Sequence, residues 1–517
     1  MGAGAGCDCV VIGGGHNGLV CATLLARAGR SVVVLEANDA LGGAAATREF
    51  APGFRVSACA HLLHSMPETL RRELRLESHG FEAAATRMPT TALVADGPAL
   101  AIGAAEAGIG DAAAYARYDE RMRRLAAALA PMLARVPPRL GSGRWPDWSS
   151  LLTLGWRVRR LGTRDMRELL RIVGMNVYDL LQENFESSAL QGALGLDAVL
   201  GTNCGPRSPG TVLTLLYRLA GQGAAGTAGL SQPKGGMGGL CEALARAARA
   251  AGATIRTAAP VARIEVDADR ASGVVLADGE RIAARAVISS ADPKTTFLGL
   301  LGARHLDTGF VRRVTHFRSQ GLAAKLHLAL ARAPEFTGSA PERASGRLLI
   351  APSLQYIEQA YNHAKYGEYS RSPVMEITVP TVNDPGLAPA GAHVLSAVVQ
   401  YAPYALTAGW ERERDRFADL AIDTIARHAP GLRRSIVAAE LLTPRDIERE
   451  FHVAGGHWHH GDLAFDQFWM VRPFPGAAQY RTPLDGLFLC GSGCHPGGGV
   501  TGAAGRNAAQ QILRQVE

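Results

Sequence analysis

The densest chemistry in the sequence sits near its start, in Gly13-Gly14-Gly15-His16-Asn17-Gly18, which fits G-x-G-x-x-G. Each glycine has a separate use when such a loop carries a dinucleotide. Gly13 makes the tight turn, Gly15 lets backbone approach a pyrophosphate, and Gly18 lets the following helix pack on its strand. His16 and Asn17 fill the same loop. The helix that must begin here offers unpaired N–H groups and the positive end of its dipole to the phosphates. Glu36 lies 18 residues past Gly18, where an acid accepts hydrogen bonds from ribose hydroxyls and repels a 2′-phosphate, which disfavours NADP. The paired Gly42 and Gly43 follow, and they let the chain bend back over the pyrophosphate.

The elements that must hold these groups are legible around them. Residues 9–12 (Cys-Val-Val-Ile) read as a short buried strand. A helix follows with Leu19, Ala22, Leu25 and Ala26 on one side, and Gly29 stops it. A second strand, 31–35, ends at Glu36. Residues 232–240 (QPKGGMGGL) lead into an Ala/Leu/Arg helix and a strand at 254–257. Strands at 261–266, 273–276 and 282–288 are then separated by Asp and Gly turn signals. Near the end come a strand at 487–490, the segment from Gly491 to Gly499, and a helix of small residues from Gly502 to Ala509. A helix start beside a flavin stabilises the negative charge of the reduced ring. The first loop alone fits NAD or FAD equally. Combined with Gly42-Gly43, Gly235–Gly239 and the closing segment, it reads as FAD.

Composition narrows the class. Apolar residues make 47 % and charged residues 20 % of 517, an ordinary globular balance with length for two or three domains. The net charge of +7 is modest, and no basic stripe interleaved with aromatics suggests nucleic acid. The eight cysteines make no C-x-x-C pair, so they read as small buried hydrophobes in a reducing compartment and not as a redox disulfide. A cofactor motif starting at residue 13 leaves no room for a leader peptide, which points to the cytoplasm, at most peripheral to the inner face of a membrane. The most apolar long run, 210–230, is broken by Arg218 and several glycines.

The sequence resembles the phytoene desaturase and carotenoid ketolase branch of the FAD-dependent amine-oxidase-like superfamily. Within it, the similarity is greatest to the group called pyridine nucleotide-disulfide oxidoreductase domain-containing protein 2 and to the cyanobacterial-type carotenoid ketolases. The residues that carry the match are 10–20 (VVIGGGHNGLV), 42–45 (GGAA), 233–240 (PKGGMGGL), 287–292 (VISSAD) and 487–507, with His460-Gly461-Asp462 and Asp466-Gln467. It spans essentially the whole chain.

That resemblance implies an α/β fold: a Rossmann-type FAD-binding domain of the glutathione-reductase and amine-oxidase-like kind, interleaved with a substrate domain of mixed sheet plus helices. The expected FAD-binding parts are 1–84, 231–304 and 436–517, and the substrate parts are 85–230 and 305–435. Val261 is expected to present its backbone to the adenine, and Gly491, Gly499 and Val500 to lie along the flavin. Many relatives carry Arg after the paired glycines; here that position is Ala44, as in the group named above.

The substrate side is less legible. His457-Trp458-His459-His460 does not have a familiar metal-ligand spacing, so no metal is expected, and a structural or cofactor-adjacent role leads there. His61, His64 and His460 are candidates for acid–base work, with a satisfied structural histidine as the plainer reading. Asp462 and Asp466 serve equally as turn caps. Between Arg117 and Arg171 stand 13 Arg against five acids; the plain reading is a solvated face, and the sharper one is a peripheral membrane patch around residues 151–156. The expected activity is oxidation of an apolar, polyene- or lipid-like small molecule by hydride transfer to FAD. A single G-x-G-x-x-G unit leaves reoxidation to oxygen or a quinone. The alternatives are an amine or amino-acid oxidase, with Trp458, Phe468, Trp469 and Tyr480 as candidate walls, and a lipid-binding escort without catalysis.

Overall fold

The computed structural model describes residues 6–64, 66–95, 97–102, 111–139, 141–221 and 229–515. Part of the apolar run 210–230 therefore lies outside the described residues. The strand Cys7–Ile12 is the centre of the first sheet, flanked in parallel by Arg281–Ser289 and Val32–Leu35. Its last four residues are buried, as a strand covered on both faces must be. Thr254–Arg256 extends the parallel group beyond Val32–Leu35, and Leu487–Leu489 extends it beside Arg281–Ser289. Val261–Asp267 and Arg270–Leu276 are added as antiparallel hairpins on Arg281–Ser289. Three distant stretches of chain thus make one sheet, because parallel neighbours need crossovers and cannot be joined by tight turns.

Two helices cover the mouth of this sheet. His16–Arg27 starts at Gly15 and stops where Gly29, at φ +81°, turns the chain out. Ala503–Leu513 packs against it, and the approach is close: a Cβ on Gly505 would stand 2.1 Å from the carbonyl oxygen of Asn17. The run of small residues near the C-terminus is therefore a helix-packing surface.

The second sheet runs Ile436–Leu442, Ala323–Leu330, His393–Gln400, Val374–Thr378, Arg347–Ile350, Thr90–Ala92, Leu100–Ile102, all antiparallel except for the pair Arg347–Ile350 with Thr90–Ala92. The strand Ile436–Leu442, grouped from the sequence with the nucleotide-binding parts, pairs with Ala323–Leu330 instead. Every residue of Ala323–Leu330 is buried, and its side chains alternate between faces. Ala324, Leu326, Leu328 and Leu330 join Trp410, Phe417 and Ile425 of the helix Trp410–Ala426 in one apolar cluster. Lys325 and His327 point to the other face, beside His61, Ser396 and Ala58. A sheet with one apolar and one charged buried face is the element that positions the substrate side of the site.

Candidate active site

A cavity of about 400 Å³ is lined from both sheets, by Ile12 and Leu35 of the first and by Glu376 and Val398 of the second. At one end its wall is Gly13, Gly15, His16, Asn17, Glu36, Gly42 and Gly43, joined from the far segments by Val261, Gly499 and Val500. Gly18 and Gly491 are not in that wall. A Cβ on Gly18 would lie 2.2 Å from the Gly13 carbonyl oxygen, and one on Gly491 would lie 2.4 Å from that of Ser290. Both glycines let neighbouring backbone close up behind the cavity. The next residue, Ser492, does line the cavity. The chain is pulled in against 289–291 by the hydrogen bond from Cys490 N–H to the Ser289 carbonyl.

The Gly235–Gly239 turn also stands elsewhere. Its N–H groups are taken by side chains: Gly235 donates to Asp384 (2.6 Å), Met237 to Ser57 (2.9 Å) and Gly238 to Thr47 (2.8 Å). A helix start satisfied in this way has little left for phosphate. This turn anchors the Thr47–Ala51 and Phe54–Ser57 hairpin, which holds up the segment from Ala58 to His64.

The nucleotide end has the complementary properties. The helix His16–Arg27 has no side-chain cap and no acid in its first turn. A Cβ built on Gly15 meets nothing within 4 Å, so the backbone there faces open space. Glu36 is buried, and its carboxylate accepts the N–H of Gly14 (2.7 Å) and of Asn38 (3.0 Å). That fixes it in the wall with lone pairs left for hydroxyls. Four cavity residues carry buried polar atoms without a partner among the described residues: His16 Nε2, Asn17 Oδ1, His459 Nδ1 and His460 Nδ1. Unpaired buried polar groups are costly and call for a ligand or water. Uncapped helix, open glycine, fixed acid and unpaired polar atoms together fit a bound FAD.

At the other end the wall is charged. His61 Nε2 lies 2.9 Å from Glu376 Oε1 and its Nδ1 lies 2.7 Å from Lys325 Nζ. With Glu376 accepting at Nε2 and the Lys325 ammonium donating to Nδ1, the neutral tautomer carrying its proton on Nε2 satisfies both contacts. Glu376 also meets Arg347, which reaches Asp197 at 2.6 Å, and Arg218 lies 3.3 Å from Asp197 and 3.6 Å from Glu376. Burial alone would raise the Glu376 carboxyl, but Arg347, His61 and Arg218 outweigh it and hold it well below the usual carboxylate range. Burial and the adjacent Lys325 charge push His61 down to about 4. Burial also pushes Lys325 down to about 7.

Of the other histidines, His16, His64, His452, His459 and His460 line the cavity. His457 stands behind it, buried, with Nε2 3.9 Å from Asp462. Asp462 accepts the Asn203 N–H at 3.1 Å and Asp466 pairs with Arg318 at 2.6 Å, so both acids tie loops together. Trp458 is in the cavity wall and Phe468 lines a small side pocket. Tyr480 is buried with its hydroxyl on the His495 carbonyl. Arg472 is wholly buried and donates to the carbonyls of His459, Gly461, Asp462, Gln467, Ser492 and Cys494. It binds the histidine loop to the closing glycine segment.

Lys325, Glu376, Arg347, Asp197, Arg218 and Arg472 do not stand out in a search for motifs. A signal existed in two of them: a lysine in Ala-Ala-Lys-Leu-His-Leu-Ala-Leu and a glutamate in Val-Met-Glu-Ile-Thr are charges inside otherwise apolar strands, which are rarely buried unless paired.

Residues 18–513 match the family described as flavin containing amine oxidoreductase. Pyridine nucleotide-disulfide oxidoreductase domain-containing protein 2 of Mus musculus is 38% identical, covering 99% of this chain and 94% of the mouse protein. Hydroxyneurosporene desaturase of Cereibacter sphaeroides is 30% identical, covering 98% of this chain and 97% of its own. The solved structure of cyclohexylamine oxidase from Brevibacterium oxydans IH-35A shares the fold, with a TM-score of 0.60 at 17% identity and 99% of both chains covered. A dinucleotide end built for FAD and a family match across nearly the whole chain lead to one conclusion: the protein belongs to the flavin containing amine oxidoreductase family and is an FAD-dependent oxidoreductase.

Proposed function

We propose that the enzyme dehydrogenates an apolar small molecule, with oxygen or a quinone as the final acceptor. The observation that carries this reading is the state of the two acids on the substrate side. Glu376 and Asp197 are both held by Arg347 and Arg218, so neither is left to attract the cation of an amine. The remaining wall is largely apolar, with Ala60, Leu62, Leu200, Tyr217, Val398 and Trp458. A named desaturase among the relatives is consistent with it.

Bound FAD supplies the acceptor for a hydride from a substrate C–H bond. The chain's own residues exclude water around that bond and receive the proton that leaves the adjacent carbon. Both ring nitrogens of His61 are engaged, which makes it a positioning group that orients Lys325 and Glu376. His460 Nδ1 has no partner among the described residues, and burial holds the ring neutral by pushing it down to about 4. The free lone pair on Nδ1 makes His460 the proposed first acceptor of that proton, and because burial disfavours the charged ring the proton must leave it again.

The test is anaerobic mixing of the FAD-loaded protein with detergent-dispersed polyene hydrocarbons, and separately with primary amines and amino acids. Bleaching of the flavin by the first group alone is expected. Bleaching by amines alone would replace this reading with the amine-oxidase one. His460→Gln should slow bleaching about 100-fold with the flavin spectrum intact; an unchanged rate would remove His460 from the step.

A further inference from the structure

The Arg-rich stretch folds as three helices, Ala112–Leu133, Trp145–Arg160 and Gly162–Ile172. The first behaves as a solvated, ion-paired surface, with Arg123 on Asp119 and Arg124 on Glu120 and Asp165. The second is different. Not one of its residues is fully buried, yet it carries Trp145 at 73 % exposure, Trp148 at 53 %, Leu152 at 60 % and Trp156 at 57 %. At 3.6 residues per turn these four side chains fall within an arc of about 80°. They form one apolar stripe, and Leu170 on the next helix is 66 % exposed as well. Half of the chain's six tryptophans stand in this stripe. Leaving that much large apolar surface in water marks an interaction site.

We propose that the helix Trp145–Arg160 lies in the headgroup region of an anionic lipid bilayer. Charge and residue type select this occupant. Exposed Arg144 precedes this helix, exposed Arg159 and Arg160 end it, and exposed Arg164 and Arg167 follow on the next one. The Arg160 guanidinium sits 4.5 Å over the Trp156 ring. The helix's one acid, Asp147, is turned inward to the Arg139 N–H, Ser142 and Gln479. A second copy of the chain would set these cations against their own images, because a two-fold contact repeats one patch on both partners. Anionic headgroups neutralise them. Tryptophan suits the boundary between headgroups and acyl chains, with an apolar ring and an N–H that stays wet. No helix among the described residues is long and apolar enough to cross a membrane, so the contact lies on the surface. The helix Ala112–Leu133 packs on both this helix and Thr211–Gly221, whose Thr214, Tyr217 and Arg218 line the cavity. The docked face therefore belongs to the helical layer that roofs the site.

The experiment is co-sedimentation of the FAD-loaded protein with phosphatidylcholine vesicles containing about 25 % phosphatidylglycerol, compared with phosphatidylcholine alone. Binding to the anionic vesicles at low salt, weakening as salt rises, is expected. Trp145→Ala/Trp148→Ala/Trp156→Ala should lower the partition coefficient at least about tenfold, with flavin absorbance unchanged. Arg159→Glu/Arg160→Glu should weaken it severalfold and abolish the preference for phosphatidylglycerol. Protein left in the supernatant at low salt would overturn the proposal, and so would unchanged binding by the tryptophan variant. A dimer in sedimentation velocity that the same tryptophan substitutions disperse would also overturn it, assigning the face to a second copy.

Discussion

The two ends of the cavity are made from different parts of the polypeptide. At the nucleotide end the wall is mostly main chain: Gly13, Gly15, Gly42, Gly43 and Gly499, with an uncapped helix start and a single acid, Glu36. At the substrate end the wall is side chain, with His61, Asp197, Arg218 and Glu376 arriving from four separate elements and backed by Lys325 and Arg347. A main-chain site recognises what every phosphate ligand shares, and it fails when a side chain intrudes. A side-chain site recognises one charge pattern, and it fails when one partner is left buried alone. Burying ions is costly, so the substrate end stores a liability that the nucleotide end does not.

The most severe change should come at the nucleotide end. Gly15→Val places branched carbon in open space where the backbone faces the cavity, at a φ of −71° that a non-glycine residue tolerates. The purified variant should be folded by circular dichroism but colourless at about 450 nm, with FAD affinity reduced at least about 1,000-fold. A yellow Gly15→Val protein would break the claim that main chain makes this end.

At the substrate end Glu376→Ala should leave the flavin in place but leave two buried cations, Arg347 and Arg218, sharing Asp197 as their one counter-charge, and take the Nε2 partner from His61. A loss of about 3–5 kcal/mol in denaturant unfolding is expected. A double variant, Glu376→Leu/Arg347→Met, should recover much of it. If Glu376→Ala instead released flavin at unchanged stability, the two ends would not be the separate constructions described above.

Lys325 sharpens the contrast through pH. Its folded value of about 7 lies below its ordinary 10.5, so between these values the unfolded chain binds the proton and the folded one does not. This contribution to stability is complete above about 10.5 and is lost as pH falls toward 7. Lys325→Met should remove that slope and unfold at a higher temperature than the parent at pH 7, measured by thermal melts across the range. A parallel pH profile in the variant would assign the slope elsewhere. The smallest effect is expected at an exposed pair outside both ends: Arg123→Ala should change stability by less than about 0.5 kcal/mol.

Much of the nucleotide end was legible because its requirements are local. A strand, a turn needing φ +96° at Gly13, a helix and a terminal acid lie within 36 residues, and each leaves a residue-type signature. Glycines read well as a class but not by individual role. Gly15 and Gly499 face the cavity, Gly18 and Gly491 close up backbone behind it, and Gly235–Gly239 packs on Thr47 and Ser57. Each glycine looks the same in the sequence, since what its missing Cβ makes room for is a neighbour from elsewhere in the chain.

The helix Trp145–Arg160 shows the opposite balance. Its arginines were conspicuous, but the apolar stripe extends back to Trp145, and the burial of Leu169 and Ile172 against the exposure of Trp148 and Leu152 depends on which neighbours cover each helix. Among the histidines, the sequence could offer His61 and His460 only as equals. Packing separated them, because Lys325 and Glu376 occupy both nitrogens of one and leave Nδ1 of the other unpaired.

By itself the sequence determined that this is an FAD-dependent chain with a dinucleotide-binding start, and it marked two distant glycine segments that the fold brings to one cavity. Hydrogen-bonding glycine backbone and hydrophobic period are short-range properties, so they are written in consecutive residues. Tertiary structure alone decided that Asp197, Arg218, Lys325, Arg347 and Glu376 form one buried charge set beside His61. Their contacts span sequence separations of up to 315 residues, and a charge announces its partner only when folding brings the two together in a medium too dry to screen them.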